Sequence, residues 1–313
     1  MNDSKKTGPG QPRGGGEIPG APGDPAFTIT RRAPSPIPVL VAVPHAGRIY
    51  PPSLLARMRD PERTGLRLED RYADLLASKV VDETGAVLIV ARAPRAMIDL
   101  NRALSEMDPE MIAEGGLPGG LLSRSGRRAR SGLGLVPRRL PGLGDIWKGR
   151  MSMADLDARI AGVHVPYHAA LAAELATLRE RWGCALLVDL HSMPPLGAER
   201  GAGAITEFVI GDRFGSSCAG ALCAAAFDHF AGCGRRAAHN RPYAGGHVLD
   251  RHTAPSRGLH GLQIEVCRSA YLDDRLQEPG AAFDATAAVL TGLVRRLADE
   301  MTMLGQAFRQ AAE

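Results

Sequence analysis

Ala185-Leu186-Leu187-Val188-Asp189-Leu190 runs apolar almost without break and then turns polar at His191-Ser192-Met193. A short apolar run of this length, with β-branched and aliphatic residues, fits a strand buried on both faces. Ile37-Pro38-Val39-Leu40-Val41-Ala42-Val43 repeats the pattern and ends in Pro44-His45-Ala46-Gly47. Ala86–Val90, Phe208–Ile210 and Leu262–Val266 are expected as further buried strands, and Met97-Ile98-Asp99-Leu100 as a short one. Helical spacing is expected over 69–83, over 153–182 as one long helix or two joined with Pro166 near a break, over 214–230, and in a closing helix over 281–308. Strands alternating with helices predict an α/β fold, with a mostly parallel or mixed central sheet flanked by helices. In such sheets ligands gather at the carboxyl ends of strands.

The 313 residues are ample for a substantial core. Residues 1–24, rich in Gly, Pro, Lys and Asp, are expected to be a disordered leader. Residues 25–313 then form a single α/β domain, with an irregular Arg/Gly-rich insert at about 105–150. The net charge of +4 is modest, and basic residues are not interleaved with aromatics, so a nucleic-acid surface is not indicated. Arg124, Arg127, Arg128, Arg130, Arg138 and Arg139 are the nearest approach to a basic cluster and fit a solvated or substrate-steering loop. Five scattered cysteines without a framework pattern point to reduced thiols in a cytoplasm. No apolar run approaches the ~20 residues of a membrane span. The oligomeric state is not legible in the sequence.

His45 and His191 each follow an apolar run, so both imidazoles belong to the same rim of the sheet. Either one alone is most simply a buried structural histidine. Their shared placement favours a metal site, because neutral imidazole is a favoured zinc ligand. A third ligand should be a carboxylate or histidine. Glu69 and Asp70 are the candidates, although helix capping would explain acids there equally well. Asp189 lies two residues before His191 on the same side of the strand and could orient an imidazole. Glu265 is a charge inside an otherwise apolar strand, costly unless paired, for example with Arg268, or used as a general base. Arg95, Asn101, Arg102, Asn240 and Arg241 stand at strand ends or turns, and an Arg fork suits a carboxylate. His247 follows Gly245-Gly246 and could also touch substrate. Ser192 is a possible nucleophile, but its neighbours lack the Gly-x-Ser-x-Gly elbow.

Seven stretches in order resemble the N-formylglutamate amidohydrolase family. They are Val43-Pro44-His45-Ala46-Gly47, the Glu69-Asp70 to Asp74 helix start, Arg95 with Asp99-Leu100-Asn101-Arg102, and Pro166-Tyr167-His168. Asp189-Leu190-His191-Ser192-Met193, Asn240-Arg241-Pro242-Tyr243-Ala244-Gly245-Gly246 and Gln263-Ile264-Glu265-Val266 complete the set. The resemblance implies a phosphorylase/hydrolase-like α/β fold related to the zinc exopeptidases. It implies hydrolysis of an N-acyl amide on a small acidic amino acid, N-formyl-L-glutamate in the best-known case. His45, Asp70 and His191 look like ligands of zinc or another divalent transition metal, and Glu265 like the catalytic carboxylate. Asn101, Arg102, Asn240 and Arg241 look like substrate binders. A zinc amidase acting on another N-acyl amino acid or a peptidoglycan fragment, and a non-catalytic binding protein, are the alternatives.

Overall fold

The computed structural model describes residues 10–113, 131–196 and 206–310. Ten strands form among the described residues. They are β1 Arg13–Gly15, β2 Phe27–Thr30, β3 Val39–Val43, β4 Val87–Ala91, β5 Arg139–Leu140, β6 Gly144–Asp145, β7 Ala185–Met193, β8 Phe208–Gly211, β9 Ala237–His239 and β10 Leu259–Cys267. Eight of them make one mixed sheet in the order β1-β2-β4-β3-β7-β10-β8-β9, while β5 and β6 form a small separate ribbon. The central strands β4, β3, β7 and β10 run parallel. Strands β2 and β8 turn antiparallel on either side. The fold is therefore α/β with a mixed sheet.

The helices are α1 Pro52–Arg57, α2 Pro61–Leu68, α3 Ala73–Thr84, α4 Met153–Arg159, α5 Val165–Trp182, α6 Gly220–Gly232, α7 His247–His252 and α8 Phe283–Gln310. Strand alternation divides the core into two layers. Val41, Leu186, Val188 and Ile264 pack with Leu76 of α3, Leu222 of α6 and Leu290 of α8. Leu40, Ala42, Ile89 and Leu187 pack on the other face with Tyr167, Leu171 and Leu175 of α5. Leu187, Asp189 and His191 share a face by the two-residue period. The row that begins in the α5 core thus ends in polar groups.

Four expectations need correction. Residues 10–24 are not an unstructured leader: β1 pairs with β2, Ile18 is fully buried, and the Glu17 amide donates to the Gly162 carbonyl at 2.9 Å. Backbone pairing holds a segment whose side chains have little to bury. The helix expected over 69–83 begins only at Ala73, because Tyr72 takes a left-handed conformation (φ 56°) that separates α3 from the end of α2 at Leu68. Met97–Leu100 is a turn rather than a strand, with the Met97 amide donating to Pro94 O and the Arg102 amide to Asp99 O. The helix expected from 214 begins at Gly220. Of the two readings of 153–182 the structure matches one long helix, α4 and α5 being continuous through a single π turn, Ile160–His164, just before Pro166. Arg124, Arg127, Arg128 and Arg130 lie outside the described residues.

Candidate metal centre and catalytic cavity

Register brings the site together. Paired strands β7 and β10 set Asp189 beside Gln263 and His191 beside Glu265. His45 follows the end of neighbouring β3, and the Asp70 amide donates to the His45 carbonyl at 2.9 Å, so the α2–α3 junction is tied to the same rim. His45, Asp70, His191, Asp189 and Glu265 are all buried.

The two imidazoles face each other. His45 Nδ1 and His191 Nδ1 are 3.1 Å apart, and Asp70 Oδ2 lies 3.5 Å from the first and 3.0 Å from the second. Each outer nitrogen meets a carboxylate: His45 Nε2 donates to Asp99 Oδ1 at 2.7 Å and His191 Nε2 to Asp189 Oδ2 at 2.9 Å. Those bonds place the ring protons outward and leave two Nδ1 lone pairs converging on Asp70. Two lone pairs and an anion in contact repel unless a positive charge lies among them. Donors around a tetrahedral zinc stand about 3.3 Å apart, given bonds of ~2.0–2.1 Å. The donor set therefore fits a zinc-like cation, with Asp99 and Asp189 as the orienting carboxylates such sites use.

The protonation equilibria express the same demand for positive charge. Burial pushes the Asp70 carboxyl up, but hydrogen bonds and charge from His191 and His45 outweigh it and leave it below its ordinary range. Burial works against charge on His191, yet Asp189, Asp70 and Glu265 raise it well above an ordinary histidine. Asp99 is held low against its burial by Arg95 and His45. Glu265 moves the other way: burial raises it to about 7, opposed by His191 and Arg95 and reinforced by Asp70. A buried carboxyl with a value near neutrality suits proton transfer.

His45, Asp70, His191 and Glu265 line one cavity of about 380 Å³. Its wall also includes Arg67, Arg95, Asn101, Arg102, Tyr243 and Arg268, together with Leu133 and Leu140 from the irregular segment. Asn101 fixes the far side. Its Oδ1 accepts from the Val248 amide at 2.9 Å, and its Nδ2 donates to Gln263 Oε1 at 3.4 Å. Gln263 Nε2 in turn donates to Glu265 Oε1 at 2.9 Å. Gly246 permits this approach, since a Cβ there would meet Asn101 Oδ1 at 2.5 Å.

Several expected residues sit elsewhere. Glu69 is turned away, taking hydrogen bonds from Tyr50 (2.8 Å) and Arg71 (3.1 Å), so Asp70 is the acid that faces the histidines. Asn240, left-handed at φ 58°, is spent on a turn: its amide donates to Asp212 Oδ1 at 2.7 Å. Arg241 beside it is exposed, and neither lines the cavity. His247 likewise stays outside the lining. Arg138 is tied to Asp108 at 2.7 Å and to Glu110 at 3.0 Å, away from the cavity. Arg268 does not pair with Glu265 but donates to Ser192 Oγ (3.2 Å) and approaches Asp70 (3.9 Å). The Ser192 hydroxyl is engaged by Asp70 and Arg268.

Asp99, Gln263, Arg67, Arg268 and Tyr243 were not expected as site residues. The signal for Asp99 was present, because an acid between Ile98 and Leu100 raises the same burial problem as Glu265. For the others the sequence carried no comparable sign.

An open mixed sheet that gathers imidazoles and carboxylates at its strand ends, around a small cation-lined cavity, defines an α/β amidohydrolase. The chain belongs to the N-formylglutamate amidohydrolase family, whose model matches residues 37–272. It is 26% identical to the N-formylglutamate deformylase of Pseudomonas aeruginosa over 273 residues, covering 86% of this chain and 94% of that one. It is 28% identical to the Pseudomonas putida N-formylglutamate deformylase over 252 residues, covering 76% and 83%. The crystal structure of N-formylglutamate amidohydrolase from Ralstonia eutropha JMP134 superposes with a TM-score of 0.78 at 28% identity, covering 91% of this chain and 99% of that one.

Proposed function

We propose that this chain hydrolyses the N-formyl amide of an acidic amino acid, N-formyl-L-glutamate first among them, giving formate and L-glutamate. The observation that carries the proposal is the convergence of His45 Nδ1, His191 Nδ1 and Asp70 Oδ2 in the wall of the cavity that Glu265 enters. The names of the curated relatives supply the acyl group and the amino acid.

His45, Asp70 and His191 would hold zinc, or another divalent transition metal. When bound, such a cation supplies Lewis-acid polarisation and makes water acidic enough to deprotonate near neutral pH. Asp99 and Asp189 hold the two imidazoles in the tautomer that offers Nδ1. Glu265 takes a proton from the attacking water. As the formyl C–N bond breaks and the new C–O bond forms, Glu265 returns that proton to the departing amine. Gln263, anchored by Asn101, holds the Glu265 carboxylate toward the cavity. Arg67, Arg102 and Arg268 give the wall a positive charge that matches a dicarboxylate. The scattered cysteines fit a cytoplasmic setting.

Metal analysis followed by a screen of N-formyl, N-acetyl and N-succinyl amino acids tests the proposal. Release of glutamate from N-formyl-L-glutamate, lost on chelation and restored by zinc, is the expected outcome. Turnover of another acyl group alone would change the substrate, and chelator-resistant turnover would remove the metal.

A further inference from the structure

A second convergence of ring nitrogens lies behind the Asn101–Arg102 wall. His164 closes the π turn, and His168 stands one turn later in α5, so their imidazoles leave the same helix face. His247 opens α7 opposite them. Ring centroids are 4.4 Å apart for His164–His168, 5.2 Å for His168–His247 and 5.9 Å for His164–His247. One ring nitrogen from each of the three lies within 4.8 Å of the other two.

The tautomers follow from the outer contacts. His164 Nε2 donates to the Arg102 carbonyl at 2.9 Å, and His168 Nε2 to the Leu100 carbonyl at 3.1 Å. Both Nδ1 atoms therefore carry lone pairs. His164 is fully buried and among the described residues its Nδ1 has no hydrogen-bond partner, nor has the buried Nε2 of His247. Leaving buried polar atoms unpaired is costly, so a partner for both is favoured. His168 Nδ1 accepts a hydrogen bond from His252 Nε2 at 2.9 Å, so a fourth imidazole stands at the edge of the cluster, and an ion taking His168 Nδ1 would displace that bond. Backbone carbonyls on the outer nitrogens and lone pairs turned inward are the arrangement of metal-bound histidine.

We propose that His164, His168 and His247, with His252 at the edge, form a second metal site, selective for imidazole-preferring transition ions. All its donors are neutral nitrogens, which suits zinc, copper or nickel and disfavours magnesium or calcium. Arg251 and Arg102 act against added positive charge near His247, while Asp250 and Asp99 act for it. With no carboxylate among its donors, this site binds more weakly than the one containing Asp70. A bound ion would join the π turn and α5 to α7, whose Val248 amide holds the Asn101 side chain.

The test is a stoichiometric titration of chelator-stripped protein with zinc and with cobalt(II), read by equilibrium dialysis and elemental analysis. Two ions per chain are expected, the second at least tenfold weaker. His247→Gln, at a half-buried position, should remove only the weaker ion, and His191→Ala only the tighter one. X-ray absorption of the wild-type protein at the second equivalent should show nitrogen-only donors for the added ion, independent of any variant. Saturation at one ion that His247→Gln retains would overturn the second site, and so would two ions retained by His247→Gln. Loss of the tight ion alone would count against the proposed catalytic centre and leave the second site standing.

Discussion

His45 Nδ1 and His191 Nδ1 face each other at 3.1 Å while Asp99 and Asp189 hold the far nitrogen of each ring. The pairing makes two carboxylates with no place in the ligand set essential to it. Changing either acid to its amide keeps the shape and removes the charge that fixes the tautomer. Asp99→Asn and Asp189→Asn should each weaken zinc about 10–100-fold, as loss of such orienting carboxylates does. Competition with a chromophoric chelator measures this, and unchanged affinity in both variants would show that the rings need no orientation.

The positive wall should act on binding more than on chemistry. Arg102→Met removes one guanidinium from the cavity lining, and charge-assisted hydrogen bonds contribute about 1.5–3 kcal/mol. KM for N-formyl-L-glutamate should rise about 10–100-fold, with a smaller change for an N-formyl amino acid bearing a neutral side chain. Equal losses on both substrates would show that Arg102 does not read the side-chain carboxylate.

Gly246 links a sequence feature to the proposed general base. Gly246→Ala places a Cβ against the Asn101 amide, which positions Gln263 and through it Glu265. A drop in kcat of about tenfold or more is expected from a misplaced catalytic group. Zinc content should be unchanged, because Asp189, at 2.9 Å, holds His191 Nε2 more closely than the Asn101 amide does at 3.4 Å. Steady-state kinetics beside metal analysis checks this, and wild-type kcat would mean that the amide chain does not position the base.

How much of this was legible in the sequence depends on the range of the forces involved. Strands β7 and β10 announced themselves because burial on both faces demands unbroken apolar runs, and the polar residues that interrupt them, Asp189, His191 and Glu265, stood out as costly. Asp99 shared that signature but sat in what looked like a strand, and only its position against His45 reveals its use. Residues 10–24 carry almost no hydrophobic pattern, yet their backbone pairs with β2, a long-range bond that local composition cannot register. Asn240 looked like a substrate binder because Asn-Arg at a turn offers donors. The left-handed turn consumes that side chain internally.

The pH profile should carry one acid limb from Glu265. The carboxyl is raised to about 7 by burial and acts as a base only when ionised. Below that value kcat/KM should fall about tenfold per pH unit, and above it should level off. A bound cation favours the ionised form and moves the limb to lower pH, never higher. A rate that rises as pH falls through 7 would contradict the assignment.

The most direct test of the account is the turnover of Glu265→Gln at full zinc occupancy. The amide keeps the size of the side chain and its hydrogen bonding near Gln263 but cannot accept the proton from water. Zinc content should match the wild type, while formate release from N-formyl-L-glutamate falls by about 10²–10⁴-fold, the range of a general base. Wild-type turnover in a zinc-replete Glu265→Gln protein would contradict the account.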